Sequence, residues 1–165
     1  METNHLFYKI HKGTITARDY INWSHTLLSE GTSSPSLKII SSFSPLDNLF
    51  EIESYFKRSS EELGTKQPSF ETCARAHIDF LASQIIEVDD YRQIYHLTDR
   101  IFKVAVAELN SPDDLLHWLH LYELMDRVDY HYDKEVVSEI KHEARSTSDL
   151  GHLSRSRHKK NDSNF

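Results

Sequence analysis

Residues 111–144 read SPDDLLHWLHLYELMDRVDYHYDKEVVSEIKHEA. Ser111 followed by Pro112 is a helix opening: a cap, then a residue whose missing N–H needs no partner in the first turn. Over residues 112–128, Leu115, Trp118, Tyr122 and Met125 line one side, and Leu116, Leu119, Leu121 and Leu124 spread around the rest. A helix apolar nearly all round belongs inside a bundle, so the pattern predicts a central, buried helix over 112–128. Its polar positions, Asp113, His117, His120, Glu123 and Arg127, gather on the remaining stripe. A turn at 129–133 follows. Val136, Val137, Ile140 and Ala144 then mark the apolar face of a last helix that ends near Arg145.

The same stretch carries the charge. Over residues 108–143, ten carboxylates face only three bases, Arg127, Lys134 and Lys141. That local excess equals the formal charge of −7 of the whole chain, so the acidity is concentrated here.

Outward from this segment the helix punctuation is legible. Gly13 stops a short helix at 4–11, and Thr16 caps a helix that runs to Glu30 before Gly31. Ser34-Pro35 opens a short helix with Leu37, Ile39, Ile40 and Phe43, and Ser44-Pro45 restarts the chain. Leu49, Ile52, Phe56 and Leu63 recur at helical spacing until Gly64. Ser69 begins a helix reaching Ile86. After a break at 88–90, another holds Ile94, Leu97, Ile101, Val104 and Leu109. Four glycines and four prolines in 165 residues leave too few turns for a sandwich or barrel. The expected fold is all-α: an irregular, orthogonal helical bundle of about six or seven helices. It forms a single domain over 1–147. Residues 148–165, SDLGHLSRSRHKKNDSNF, are basic and almost free of apolar side chains, so a disordered tail is expected.

Several function classes drop out. The chain has no phosphate-binding glycine motif and no G-x-S-x-G elbow, which argues against nucleotide enzymes and serine hydrolases. A single cysteine excludes an internal disulfide and an all-cysteine zinc site. The first residues, METNHLFYKIHKG, hold no apolar run of signal-peptide length, and no stretch approaches the roughly 20 apolar residues of a membrane span. A cytoplasmic protein that does not engage membranes is expected. The acidic balance argues against binding duplex nucleic acid and permits a basic protein partner.

Four constellations could carry chemistry. Glu139 and His142 form the Glu-x-x-His pair used by helical di-iron proteins, and Asp114 with His117 is a looser echo. A metal-dependent enzyme on these residues is the alternative reading, with Glu87 or Glu108 as further carboxylates; surface histidines on solvated faces explain the same spacing. Cys73 and His77 share a helix face, which suits a nucleophile and its base or simply a buried small side chain. Arg155, Arg157, Lys159 and Lys160 in the tail form a thin basic patch. The turn remains. Asp126, Asp129, Tyr130, His131, Tyr132 and Asp133 combine acids that steer a basic partner with rings that give contact area at low entropy cost. The competing reading packs the two rings inward.

The segment from Thr14 to Gly64, through Trp23, Leu27, Leu28, Gly31, Ser34, Ser36, Leu37, Phe50 and Phe56, resembles the opening of small, acidic, all-helical bacterial proteins of the toxin-immunity type. Glu139, Ile140, Glu143 and Ala144 resemble their close. The acidic tyrosine turn is similar in its chemistry to the surface with which nuclease-colicin immunity proteins hold a basic enzyme. The resemblance implies a compact, non-catalytic protein, without a cofactor, that neutralises a toxin by capping it. The expectation is therefore a non-enzymatic protein-binding domain, with the six turn residues as its contact surface.

Overall fold

The glycines of the first half sit where helices stop. Gly13, Gly31 and Gly64 have φ of 64°, 85° and 63°, the left-handed conformation that closes a helix and that a Cβ penalises. The structure, a computed structural model, describes the backbone of residues 1–161 and the side chains of residues 1–148. The described residues are all-helical, with no strand among them. They form α1 (Thr3–His11), α2 (Ala17–Ser29), α3 (Pro35–Ser42), α4 (Leu49–Glu62), α5 (Phe70–Glu87), α6 (Tyr91–Lys103), α7 (Leu116–Arg127) and α8 (Lys134–Asn161). The described residues thus hold eight α-helices rather than six or seven; the short α1 and α3, both legible in the sequence, count among them. The chain divides into two compact units, Met1–Cys73 and a second beginning at Ala74.

In the first unit the caps act as the sequence suggests. Thr16 Oγ accepts from the Asp19 N–H, and the Asp19 carboxylate accepts from the Thr16 N–H at 2.9 Å. Lys9 Nζ, 2.6 Å from the same carboxylate, ties α1 to α2. Burial pushes the Asp19 carboxyl up, but the hydrogen bonds from Lys9 and Thr16 outweigh it and hold the group below its ordinary range. Ser34 caps α3 ahead of Pro35, and the Glu62 carboxylate accepts from the Ser36 N–H at 3.0 Å and its hydroxyl at 2.7 Å. Residues 44–47 do not open α4. They form a turn in which Asp47 accepts from the Ser44 N–H, and Asn48 caps the helix instead. The core gathers on Phe56, whose ring lies 5.7, 5.0 and 5.1 Å from Phe7, Tyr20 and Trp23. These four rings are buried.

In the second unit the helix ends are less regular. α6 runs into a π-helical turn, Val104–Glu108, and Asn110 and Ser111 follow at φ of 59° and 53°. A 3₁₀ turn, Asp113–Leu115, precedes α7. The helix expected over 112–128 is therefore shorter, and it is not buried all round. Leu115, Trp118, Leu121 and Met125 are buried, whereas Leu116 is 45% exposed. α7 packs on α6 and α8, so its remaining directions face solvent or half-bury. Val136, Ile140 and Ala144 bury the face of α8 as expected, with Val137 half-buried. That helix continues past Arg145 to Asn161, since no proline follows to stop it. The expected tail over 148–165 falls on residues whose side chains from 149 on, Arg155, Arg157, Lys159 and Lys160 included, lie outside the described residues, as do residues 162–165 altogether. No helix among the described residues is long and apolar enough to cross a membrane.

Candidate protein-binding surface

α7 ends without a glycine. Asp129 and Tyr130 take the left-handed conformation, at φ of 48° and 54°. The closure is hydrogen-bonded: the N–H groups of Asp129, Tyr130 and His131 donate to the carbonyls of Asp126, Met125 and Val128 at 2.9, 3.0 and 2.9 Å. Each L-residue held there costs about 1–2 kcal/mol of backbone strain. Aspartate lowers its share through local hydrogen bonding, but tyrosine has no such device. Strain of this kind persists only where surrounding contacts over-determine it.

Those contacts are aromatic. Tyr91 and Tyr95 lie four apart on α6, so they share a face. Asp90 caps that helix, accepting from the Arg92 N–H at 3.0 Å. The Tyr95 hydroxyl donates to the His131 carbonyl at 3.1 Å, fixing the middle of the turn. Tyr132 meets Tyr91 edge-on at 5.5 Å, Tyr130 meets Tyr95 at 6.5 Å, and Tyr91 meets Tyr95 at 5.7 Å. Tyr122 stacks on Phe102 at 3.9 Å and stands close enough to Tyr130 to perturb its phenol. Five of the eight tyrosines in the chain thus form one ladder.

The rings are shared between packing and solvent. Tyr130 is 41% exposed and Tyr132 60%. Asp126, Asp129 and His131 are exposed as well, with His131 Nδ1 3.9 Å from the Asp129 carboxylate. Asp133 differs from the other five. It is half-buried and caps α8, accepting from the N–H groups of Glu135 and Val136 at 2.9 and 3.0 Å. The Tyr130 phenol is pushed up to about 12, first by the neighbouring Tyr122, then by burial and by the negative charges of Asp126 and Asp99. Burial and the Asp133 charge push Tyr95 up too.

Sequence reading singles out the exposed end of this ladder and misses Tyr91, Tyr95 and Tyr122. The available signal is the Asp90 cap followed by two tyrosines at helical spacing, but nothing in the sequence pairs that face with a turn 36 residues away.

The residues of the metal reading come together only in part, at His117 and Glu139. Asp114 is engaged by both terminal nitrogens of Arg75, at 2.6 and 3.3 Å, and that hydrogen bonding holds its carboxyl below the ordinary range. His117 lies 3.9 Å from both Glu139 and Glu143, with the His120 ring 5.9 Å from its own. Among the described residues, no group of three or more His, Cys, Asp and Glu side chains is placed to hold a metal ion. Cys73 is fully buried and burial pushes its thiol up, the direction opposite to a reactive thiolate. No known protein family, curated protein or solved structure matches this chain.

Proposed function

We propose that this chain is a non-enzymatic protein-binding domain whose contact surface is the turn carrying Asp126, Asp129, Tyr130, His131 and Tyr132. Asp133 shapes the turn as the cap of α8. The partner is a basic protein, and the most concrete form of the activity is an immunity or inhibitor role in the cytoplasm, in which the turn caps a basic toxin. One observation carries the reading. Two tyrosine rings stand partly in solvent, yet their backbone is held by hydrogen bonds and by the rings of α6. A fixed, exposed ring has already lost its conformational freedom, so binding need not supply that entropy. The carboxylates around it raise the encounter rate with a basic surface.

The test begins with the neighbouring genes and takes as the partner a basic toxin encoded there. Co-expression of the intact chain should restore growth to cells making that toxin. A Tyr130→Ala, Tyr132→Ala variant with unchanged helical content should fail to do so, and the association rate of the intact pair should fall as salt rises. Equal protection by the variant would remove this surface from consideration.

A further inference from the structure

A second feature of the Ala74-onward unit lies outside the tyrosine turn. The end of α5, the 88–90 connection and the start of α6 border an open groove of about 720 Å³, in which Glu87, Arg92, Gln93 and His96 are exposed and Leu97 is buried. That volume is in the range that admits a small organic ligand. Val88 and Leu97 give it apolar wall, and Gln84 and Gln93 give it amide donors and acceptors. Arg92 and His96 complete it, one helical turn apart on α6. Both also wall a neighbouring groove of about 270 Å³, so they stand at the divide between the two.

Arg92 decides the chemistry. Its Nε donates to the Tyr91 hydroxyl at 3.3 Å, and its guanidinium lies 5.7 Å from the centre of the Tyr91 ring. Tyr91 therefore positions the side chain by one edge. Among the described residues no carboxylate pairs with it, although the chain carries 26 acids. An arginine has five N–H donors in a planar fork, and the face formed by its terminal nitrogens matches a carboxylate in a bidentate manner. Glu87 lies in the wall as well and suits an N–H donor of the ligand.

We propose that this groove binds an apolar residue with a free α-carboxylate and an acylated nitrogen, either as a small N-acyl amino acid or as the C-terminal end of a peptide. The carboxylate meets the fork of Arg92 with His96 beside it, the amide N–H meets Glu87 or a glutamine, and the apolar side chain lies against Val88 and Leu97. The proposal uses Tyr91 only to position Arg92 and does not require that the turn at 129–133 bind a partner.

The experiment is a titration of the isotope-labelled full chain with N-acetyl-leucine, N-acetyl-leucinamide and a pentapeptide ending in leucine with a free carboxylate, followed through the backbone amide resonances. N-acetyl-leucine should shift the resonances of residues 83–97 in the millimolar range or below. The amide should bind at least about tenfold more weakly, the size of one lost charge-assisted hydrogen bond. Arg92→Gln should cause the same loss, with Arg92→Lys restoring only part of it because the fork is gone. A peptide that binds more tightly than N-acetyl-leucine supports a peptide end, and one that binds no more tightly supports the small molecule. No shift with either carboxylate, equal binding of the amide, unchanged binding by Arg92→Gln, or shifts confined to other residues would each overturn the proposal.

Discussion

The two units use aromatic rings in opposite ways. In the first, Phe56 collects Phe7, Tyr20 and Trp23 at centroid distances of 5.0 to 5.7 Å, all of them buried. In the second, the Tyr91–Tyr132 and Tyr91–Tyr95 contacts fall at similar distances, yet Tyr130 and Tyr132 keep 41% and 60% of their surface in solvent. The backbone differs in parallel. In the first unit the left-handed positions are glycines, and in the second they are Asn110, Ser111, Asp129 and Tyr130. Where the chain only needs to stop a helix, it uses the residue that stops it without strain. At the end of α7 it accepts strain and gains two fixed rings at the surface. The difference separates a core that lowers free energy from a surface that is maintained against it.

The largest effect expected concerns the rings themselves. Phe56→Ala should destabilise its unit by about 3–5 kcal/mol, since it removes the centre of a packed aromatic core. Tyr132→Ala should cost less than about 1 kcal/mol, because its ring contributes mainly one edge contact. Denaturant unfolding of both variants checks this, and equal losses would erase the contrast. The backbone comes next. Gly31→Ala should destabilise by about 1 kcal/mol or more from φ alone, since an added Cβ there meets nothing within 4 Å. Asp129→Gly should do the reverse and stabilise slightly, by less than about 1 kcal/mol, because aspartate already relieves part of the strain and glycine gains entropy when unfolded. A stability loss in Asp129→Gly would mean that the turn is not strained.

The smallest effects are in pH. An unfolded tyrosine ionises near about 10, whereas Tyr130 in the fold ionises near about 12. Between those values the unfolded chain releases its proton first, so the contribution of Tyr130 to stability is complete below pH 10 and is lost as pH rises toward 12. Ultraviolet titration should show a late phenol that returns toward the ordinary value in Tyr122→Phe. Asp19 works at the other end. Its carboxyl is held low in the fold, so its contribution is present above the ordinary carboxylate range and is lost as pH falls through the folded value. Lys9→Met should bring the Asp19 titration, followed by carboxyl carbon resonances, back upward.

Much of the fold is legible in the sequence because its boundaries rest on local chemistry. Thr16, Ser34 and Ser69, with Gly13, Gly31 and Gly64, act on neighbours within a few residues, and that information is in the string. The start of α4 is marked in the sequence only by a restart at Ser44-Pro45; its cap is Asn48, after a turn in which the Ser44 N–H donates to Asp47. The π-helical turn at Val104–Glu108 has no compositional mark. α7 is misjudged for a different reason. Apolar residues on every side say that a helix could be buried all round, but only packing partners decide how much of it is, and Leu116 has none that cover it. The turn at 129–133 stands out through its acids and rings. What holds it comes from Tyr91, Tyr95 and Tyr122, and pairing across that separation is a tertiary fact.

The central claim is that the strained turn holds its rings ready for a basic protein. The most direct measurement is the affinity of the cognate basic partner for the intact chain, for Tyr130→Phe, Tyr132→Phe and for Tyr130→Ala, Tyr132→Ala, each with its fold checked by circular dichroism. The account predicts that the phenylalanine pair retains most of the affinity and that the alanine pair loses at least about 2 kcal/mol, roughly thirtyfold in Kd. An alanine pair that binds as tightly as the intact chain would contradict it.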